Sequence, residues 1–190
     1  MTLNRTYLLY SGLLLLVLVL GYWAFDGRMP TTIGERTPDN KAHPDYFLEQ
    51  VSITHYNKKG RRDYLLTSSN LSHYLEKGTA LLSDPYLRDY RDPDQMVDSK
   101  AVHGKWLTST ETLILWDDVV LRQDDLKTNR TVRVETNYLT IHTPDRMAET
   151  DKPVLITSNG SYTRAVGMQS FYDKGIIYLK NSVRGLHVPE

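Results

Sequence analysis

The sequence predicts an all-β domain, antiparallel strands stacked along one axis as two facing sheets, preceded by one N-terminal transmembrane helix. Three observations carry this expectation. An uncharged run fills residues 6–25, alternation of period two replaces helical periodicity from Tyr46 onward, and similar segments recur about every 30 to 35 residues.

The uncharged run comes first in the chain. Nothing charged lies between Arg5 and Asp26, and every residue from Leu13 to Leu20 is Leu or Val. About 20 helical residues at about 1.5 Å each span about 30 Å, the thickness of bilayer hydrocarbon. Near the centre each Leu or Val contributes roughly −0.3 to −0.6 kcal/mol, so insertion is favoured by several kcal/mol. A cleaved secretory signal needs small residues at its cleavage site, whereas this run leaves through Gly21-Tyr22-Trp23-Ala24-Phe25. Those rings suit a headgroup-level anchor. The chain has no cysteine to acylate, so a lipoprotein anchor is excluded. Arg5 and the terminal amine, against Asp26 and Arg28, place residues 1–5 in the cytoplasm and export nearly everything else. Ser11, Gly12 and Gly21 could seat the helix against partner helices, though such small residues are common in any span.

Residues 26–45 read as a linker. Gly27, Pro30, Gly34, Pro38 and Pro44 interrupt a polar stretch without apolar period. A flexible chain of about 20 residues reaches roughly 25 Å, which clears the headgroups and keeps the next domain near the membrane.

Residues 46–190 have the size of one domain able to bury a core. Val51, Ile53 and His55 alternate with Ser52, Thr54 and Tyr56; Asn57-Lys58-Lys59-Gly60 supplies a turn, and Tyr64-Leu65-Leu66-Thr67 starts a second strand. Further strands are predicted at 113–116, 119–121, 131–135 and 176–179. Turn clusters separate them: Glu76-Lys77-Gly78, Asp84-Pro85, Arg91-Asp92-Pro93-Asp94, Asp124-Asp125, Thr143-Pro144-Asp145 and Asp173-Lys174-Gly175. Four loosely repeated units begin near Ser69, Ser99, Thr136 and Ala165. A closed sandwich with look-alike hairpins is the alternative to stacked layers. Thirteen tyrosines against three Phe and three Trp suit strands with one half-wet face.

Composition and motifs narrow the chemistry. Basic and acidic residues both number 23, so no basic field exists to hold nucleic acid. Without cysteine there is no disulfide, thiol catalysis or zinc-thiolate site. The six histidines show no metal-ligand spacing, and no phosphate loop, nucleophile elbow or His-Glu-x-x-His motif occurs. Asp117-Asp118 and Asp124-Asp125 read as solvated residues at strand ends. No catalytic residue, metal or cofactor is expected.

Several segments together resemble the LptC family, the single-span component of the bacterial lipopolysaccharide export machine. They are Asp45-Tyr46, Tyr56-Asn57-Lys58-Lys59-Gly60 with Tyr64, Asp84-Pro85-Tyr86-Leu87, Ser99-Lys100-Ala101 before Leu113-Ile114-Leu115-Trp116, Gly160, Gly167-Met168, and Asn181-Ser182-Val183-Arg184-Gly185. Asp117 stands where relatives often have glycine, which leaves the local turn type open. The resemblance implies an open twisted β-jellyroll in the periplasm that binds lipopolysaccharide. It further implies a helix inserted between the transporter subunits LptF and LptG, powered by the ATPase LptB, and delivery to the bridge protein LptA.

The physics agrees with such a role. Each methylene kept from water is worth about 0.8 kcal/mol, so an acyl chain of about a dozen carbons represents roughly 10 kcal/mol and cannot cross the periplasm unshielded. Splayed sheets leave an apolar groove for it. By the resemblance Val51 and Leu82 line that groove; by alternation alone Leu113, Leu115, Val119, Val132 and Val134 do so, and plain core packing accounts for each equally well. The family layout implies that the strand opening at Tyr46 meets the transporter and that the strand carrying Ile176, Tyr178 and Val183 meets LptA, by strand addition. Gly60, Gly160 and Gly167 are expected to permit turns or close backbone approach at these contacts. Two other functions remain in view, an anchored envelope enzyme and a structural module with a dry interior.

Overall fold

A computed structural model describes residues 14–16, 20, 22 and 43–187. Gly12, Gly21, all but five residues of the expected transmembrane helix and most of the linker lie outside them. Leu14, Leu15, Leu16, Leu20 and Tyr22 are helical and exposed, and among the described residues no helix is long and apolar enough to cross a membrane. The chain divides into units of residues 1–41 and 42–190, and the second holds every strand found among the described residues.

The strands are β1 Tyr46–Tyr56, β2 Arg62–Tyr74, β3 Thr79–Ser83, β4 Tyr86–Asp89, β5 Gln95–Lys100, β6 His103–Leu107, β7 Thr112–Asp125, β8 Arg130–His142, β9 Met147–Ser158, β10 Ser161–Phe171 and β11 Ile176–Leu186. Each pairing is antiparallel. One half of β2 pairs β3 and the other half β4, while β7 pairs β6 through 112–116 and β5 through 120–125. Thus β3 with β4, and β5 with β6, are two halves of interrupted strands, and the whole domain is a meander whose spatial neighbours are consecutive in sequence. The outermost strands are β1, paired only with β2, and β11, paired only with β10.

The pairing register aligns the backbone irregularities of β1, β3–β4, β7, β10 and β11 on one common line. Gln50 in β1, Asp84 between β3 and β4, Asp117 and Asp118 in β7, Gly167 in β10 and Ser182 in β11 all have positive φ there. Such residues are bulges that re-aim the chain, and Asp tolerates the left-handed region better than most side chains. The bends divide the sheet into a first layer, which includes 70–74, 112–116, 138–142 and 168–171, and a second layer, which includes 62–68, 119–125, 130–136 and 161–166. A change in the phase of burial goes with them. Tyr64, Leu66 and Ser68 are buried in β2, followed by Leu71; Val134 and Thr136 in β8, followed by Leu139 and Ile141; Ala165 in β10, followed by Met168. Skipping one residue at the crease keeps both layers' apolar faces turned to the same interior.

In β7 the prediction of two strands ended by Asp117-Asp118 needs correction. The strand runs through, and its register with β8 jumps between Trp116 and Val119. Asp117 and Asp118 together face the single residue Asn137 of β8, so the two acids mark a bulge of one extra residue in mid-strand and Leu113, Leu115, Val119 and Leu121 all stay buried. Residues of both layers form one core, with Leu113, Leu115, Leu139 and Met168 at 0% exposure. The Tyr64 and Trp106 rings, 5.9 Å apart, join second-layer β2 to first-layer β6.

Gly167 is the crease residue least open to substitution. Its φ is +81° and a Cβ there would stand 2.8 Å from Lys180 Cδ, whose Nζ is 2.7 Å from Asp151. Gly167→Ala is expected to lose about 1 to 3 kcal/mol, read as a lower urea midpoint at unchanged slope. An unchanged midpoint would mean that β10 needs no glycine at its bend.

Candidate functional site

The site expected from the sequence has two parts, an apolar interior and two strand edges. Leu82, Leu113, Leu115, Val119 and Val134 all point between the layers and are at most 3% exposed, packed by neighbouring side chains. Val51 is half-buried against the same core from β1. Val132 differs from the rest. With Ile156, Thr163 and Ile177, and with Gln95 and Gln123, it lines a cavity of about 410 Å³ where the layers part beside β9, β10 and β11. That volume lies within the range of small-ligand sites. A larger concavity of about 730 Å³ takes in Val120, Glu135, Leu155 and Arg164. These four are cross-strand neighbours on the outer face of the second layer, and the concavity also reaches the buried row Val119, Thr136, Val154 and Ala165 beside the crease. Among the described residues no cluster of three or more acidic or histidine side chains is placed to hold a metal.

The edges carry the predicted docking residues. Tyr46 is 49% exposed on β1 and stacks on His73 of β2 with centroids 4.7 Å apart. On β11, Ile176, Tyr178 and Val183 are exposed, and Ile177 and Leu179 turn inward against the core. Both edge strands are eleven residues long, whereas exposed edges in natural proteins are usually short or covered. Gly60 and Gly160 sit at φ +72° and +79° in the β1–β2 and β9–β10 turns, with open space where a Cβ would be. Asn159, also at positive φ, and Gly160 form the two-residue turn that a right-twisted hairpin favours. Gly167 is instead a crease residue.

Sequence reasoning missed a polar cluster at the rim opposite the crease. Asp89, at the end of β4, is buried and takes hydrogen bonds from the Arg91 guanidinium, Nε at 3.1 and 3.0 Å and Nη2 at 2.5 Å. Arg146 Nε, from the β8–β9 turn, lies 3.9 Å from the same carboxylate. Tyr172, from the β10–β11 turn, is 2% exposed, and the Arg146 guanidinium sits 5.6 Å from its ring centre. Gln123 Nε2 donates to Gln95 Oε1 at 2.9 Å and to the Tyr172 carbonyl at 3.2 Å. Burial pushes the Tyr172 phenol up, as does the Asp89 charge. Burial, followed by the Glu111 carboxylate, pushes Tyr64 up to about 12. Both phenols therefore stay neutral at ordinary pH. A signal was present in the sequence: Leu87 and Asp89 share one face of a strand, which puts a carboxylate at an inward position.

The solved structure of LptH, described as the LptA homologous periplasmic component of the lipopolysaccharide transport device from Pseudomonas aeruginosa, has a similar fold. Its TM-score is 0.55 at 6% identity, over 66% of this chain and 95% of that one. No curated protein sequence matches at a significant level. The model of the family "Lipopolysaccharide-assembly, LptC-related" matches residues 12–188, nearly the whole chain. A creased open β-jellyroll with an inter-layer cavity and two free edges is thus joined to a near full-length family match, and the chain belongs to the LptC family of lipopolysaccharide transport proteins.

Proposed function

We propose that the chain is a non-enzymatic conveyor, anchored in the inner membrane by residues 6–25. It takes lipopolysaccharide from the transporter formed by LptB, LptF and LptG and passes it between its layers to LptA. The observation that carries this reading is the pair of free edges, β1 and β11, at opposite ends of one meander. Strand addition at both would extend the interior from neighbour to neighbour with main-chain hydrogen bonds alone. Val132, Ile156 and Ile177 then meet acyl chains first, and Val51, Leu82, Leu113, Leu115, Val119 and Val134 only when the layers move apart. A structural module without cargo would need no cavity beside β11.

Photocrosslinking amino acids at Tyr46 on β1 and Tyr178 on β11 test the assignment in intact cells. Adducts to LptF or LptG are expected from Tyr46 and to LptA from Tyr178. Exchanged partners would reverse the direction, and failure of both edges to crosslink would remove strand addition as the docking mode.

A further inference from the structure

The rim cluster has an uneven distribution of strength. Asp89 and Arg91 both belong to the second layer and make three short side-chain contacts with each other, besides the Arg91 backbone N–H to Asp89 at 2.8 Å. Arg146 and Tyr172 both belong to turns of the first layer, joined by a hydrogen bond from Tyr172 N–H to the Arg146 carbonyl at 3.2 Å. Between the layers run the 3.9 Å approach of Arg146 Nε to Asp89, the hydrogen bond from Gln123 to the Tyr172 carbonyl, and a hydrogen bond from the Arg91 guanidinium to the Tyr172 phenol oxygen. Arg146 Nε is buried with no hydrogen-bond partner among the described protein groups.

We propose that this cluster is a releasable clasp that holds the layers together and opens when an acyl chain enters the adjoining cavity. Parting a buried ion pair normally strands a charge at a cost of several kcal/mol. Here the seam avoids the strong pair. Asp89 keeps Arg91, Gln123 keeps Gln95 and Tyr172 keeps the Arg146 backbone; opening parts the Tyr172 phenol from Arg91, and water replaces that one neutral-acceptor bond while reaching Arg146 Nε, which no described protein group hydrogen-bonds. Gln95 and Gln123 both line the cavity as well, so a chain entering beside Val132 and Ile177 meets the clasp directly. The buried interior that the transport reading requires as a lipid path thereby becomes reachable without unfolding. This inference rests on that reading.

The full chain in lipid nanodiscs tests it. Having no native cysteine, it takes paired spin labels cleanly. Labels at Thr128→Cys and Asp145→Cys, exposed turn residues of the second and first layers, report the separation of the rims. Adding lipopolysaccharide is expected to convert a short distance into a longer one. Arg146→Gln, and independently Gln123→Leu, are expected to raise the long-distance fraction about fivefold without lipopolysaccharide, as the loss of one weak contact would. If fluorescent lipopolysaccharide binds while the distance stays unmoved, or if both variants keep the native distribution, the clasp is refuted and transport stands. If it fails to bind the native chain at all, the transport reading falls and takes the clasp with it.

Discussion

Asp89→Ala is expected to lower the stability of the β-domain by about 3 to 5 kcal/mol, because it removes the buried carboxylate that Arg91 hydrogen-bonds and Arg146 faces. For a domain of this size that is a fall in Tm of about 10 °C or more, followed by far-ultraviolet circular dichroism. Arg88→Ala is the control. It breaks the ion pair with Asp98, whose partners are 33% and 18% exposed, and is expected to cost less than about 1 kcal/mol. Equal losses in the two variants would mean that burial at Asp89 contributes nothing. The expected cost of Asp89→Ala is compatible with an easily opened clasp, since opening keeps Asp89 and Arg91 together and the substitution does not.

Leu113→Ala is expected to cost about 2 to 5 kcal/mol, the range for a fully buried leucine whose cavity cannot collapse. Val132→Gln, at the wall of the 410 Å³ cavity, is expected to cost about 1 kcal/mol or less and to reduce retention of labelled lipopolysaccharide severalfold. Chemical denaturation and a lipid-retention assay on the same pair of proteins separate the two roles. Leu113 therefore reports on folding, and a transport defect there is a consequence of lost structure, whereas a defect at Val132 with normal stability reports contact with cargo. Retention unchanged in Val132→Gln would move the entry point away from β8.

Much of the architecture follows from short-range pattern. The first hairpin, with its strands on either side of the turn at Asn57 to Gly60, is set by neighbours two or three residues away, and the structure has it where the sequence reading puts it; the Asn159-Gly160 turn is equally local but is absent from the sequence reading. The crease was not legible in the same way. A phase skip at Asn70, Asn137 or Gly167 looks in one dimension like imperfect alternation, and only the partner strand's register shows that all the skips fall on one line. Asp117-Asp118 was read as a strand end for that reason.

The clasp lay further out of reach. Asp89, Arg91, Gln123, Arg146 and Tyr172 come from β4, β7 and three separate turns, and no local period relates them. By itself the sequence determined the strand class, most of the hairpin turns, the apolar complement of each strand and, through the summed motifs, the LptC family, because those depend on residues close in the chain or on their fixed order; Asp84-Pro85, read as a turn, is instead the crease between two halves of one interrupted strand. Tertiary structure alone decided which apolar residues fill the core, which line the cavity and where the layers are fastened, because these depend on distances between segments that meet only after the sheet has folded over its own crease.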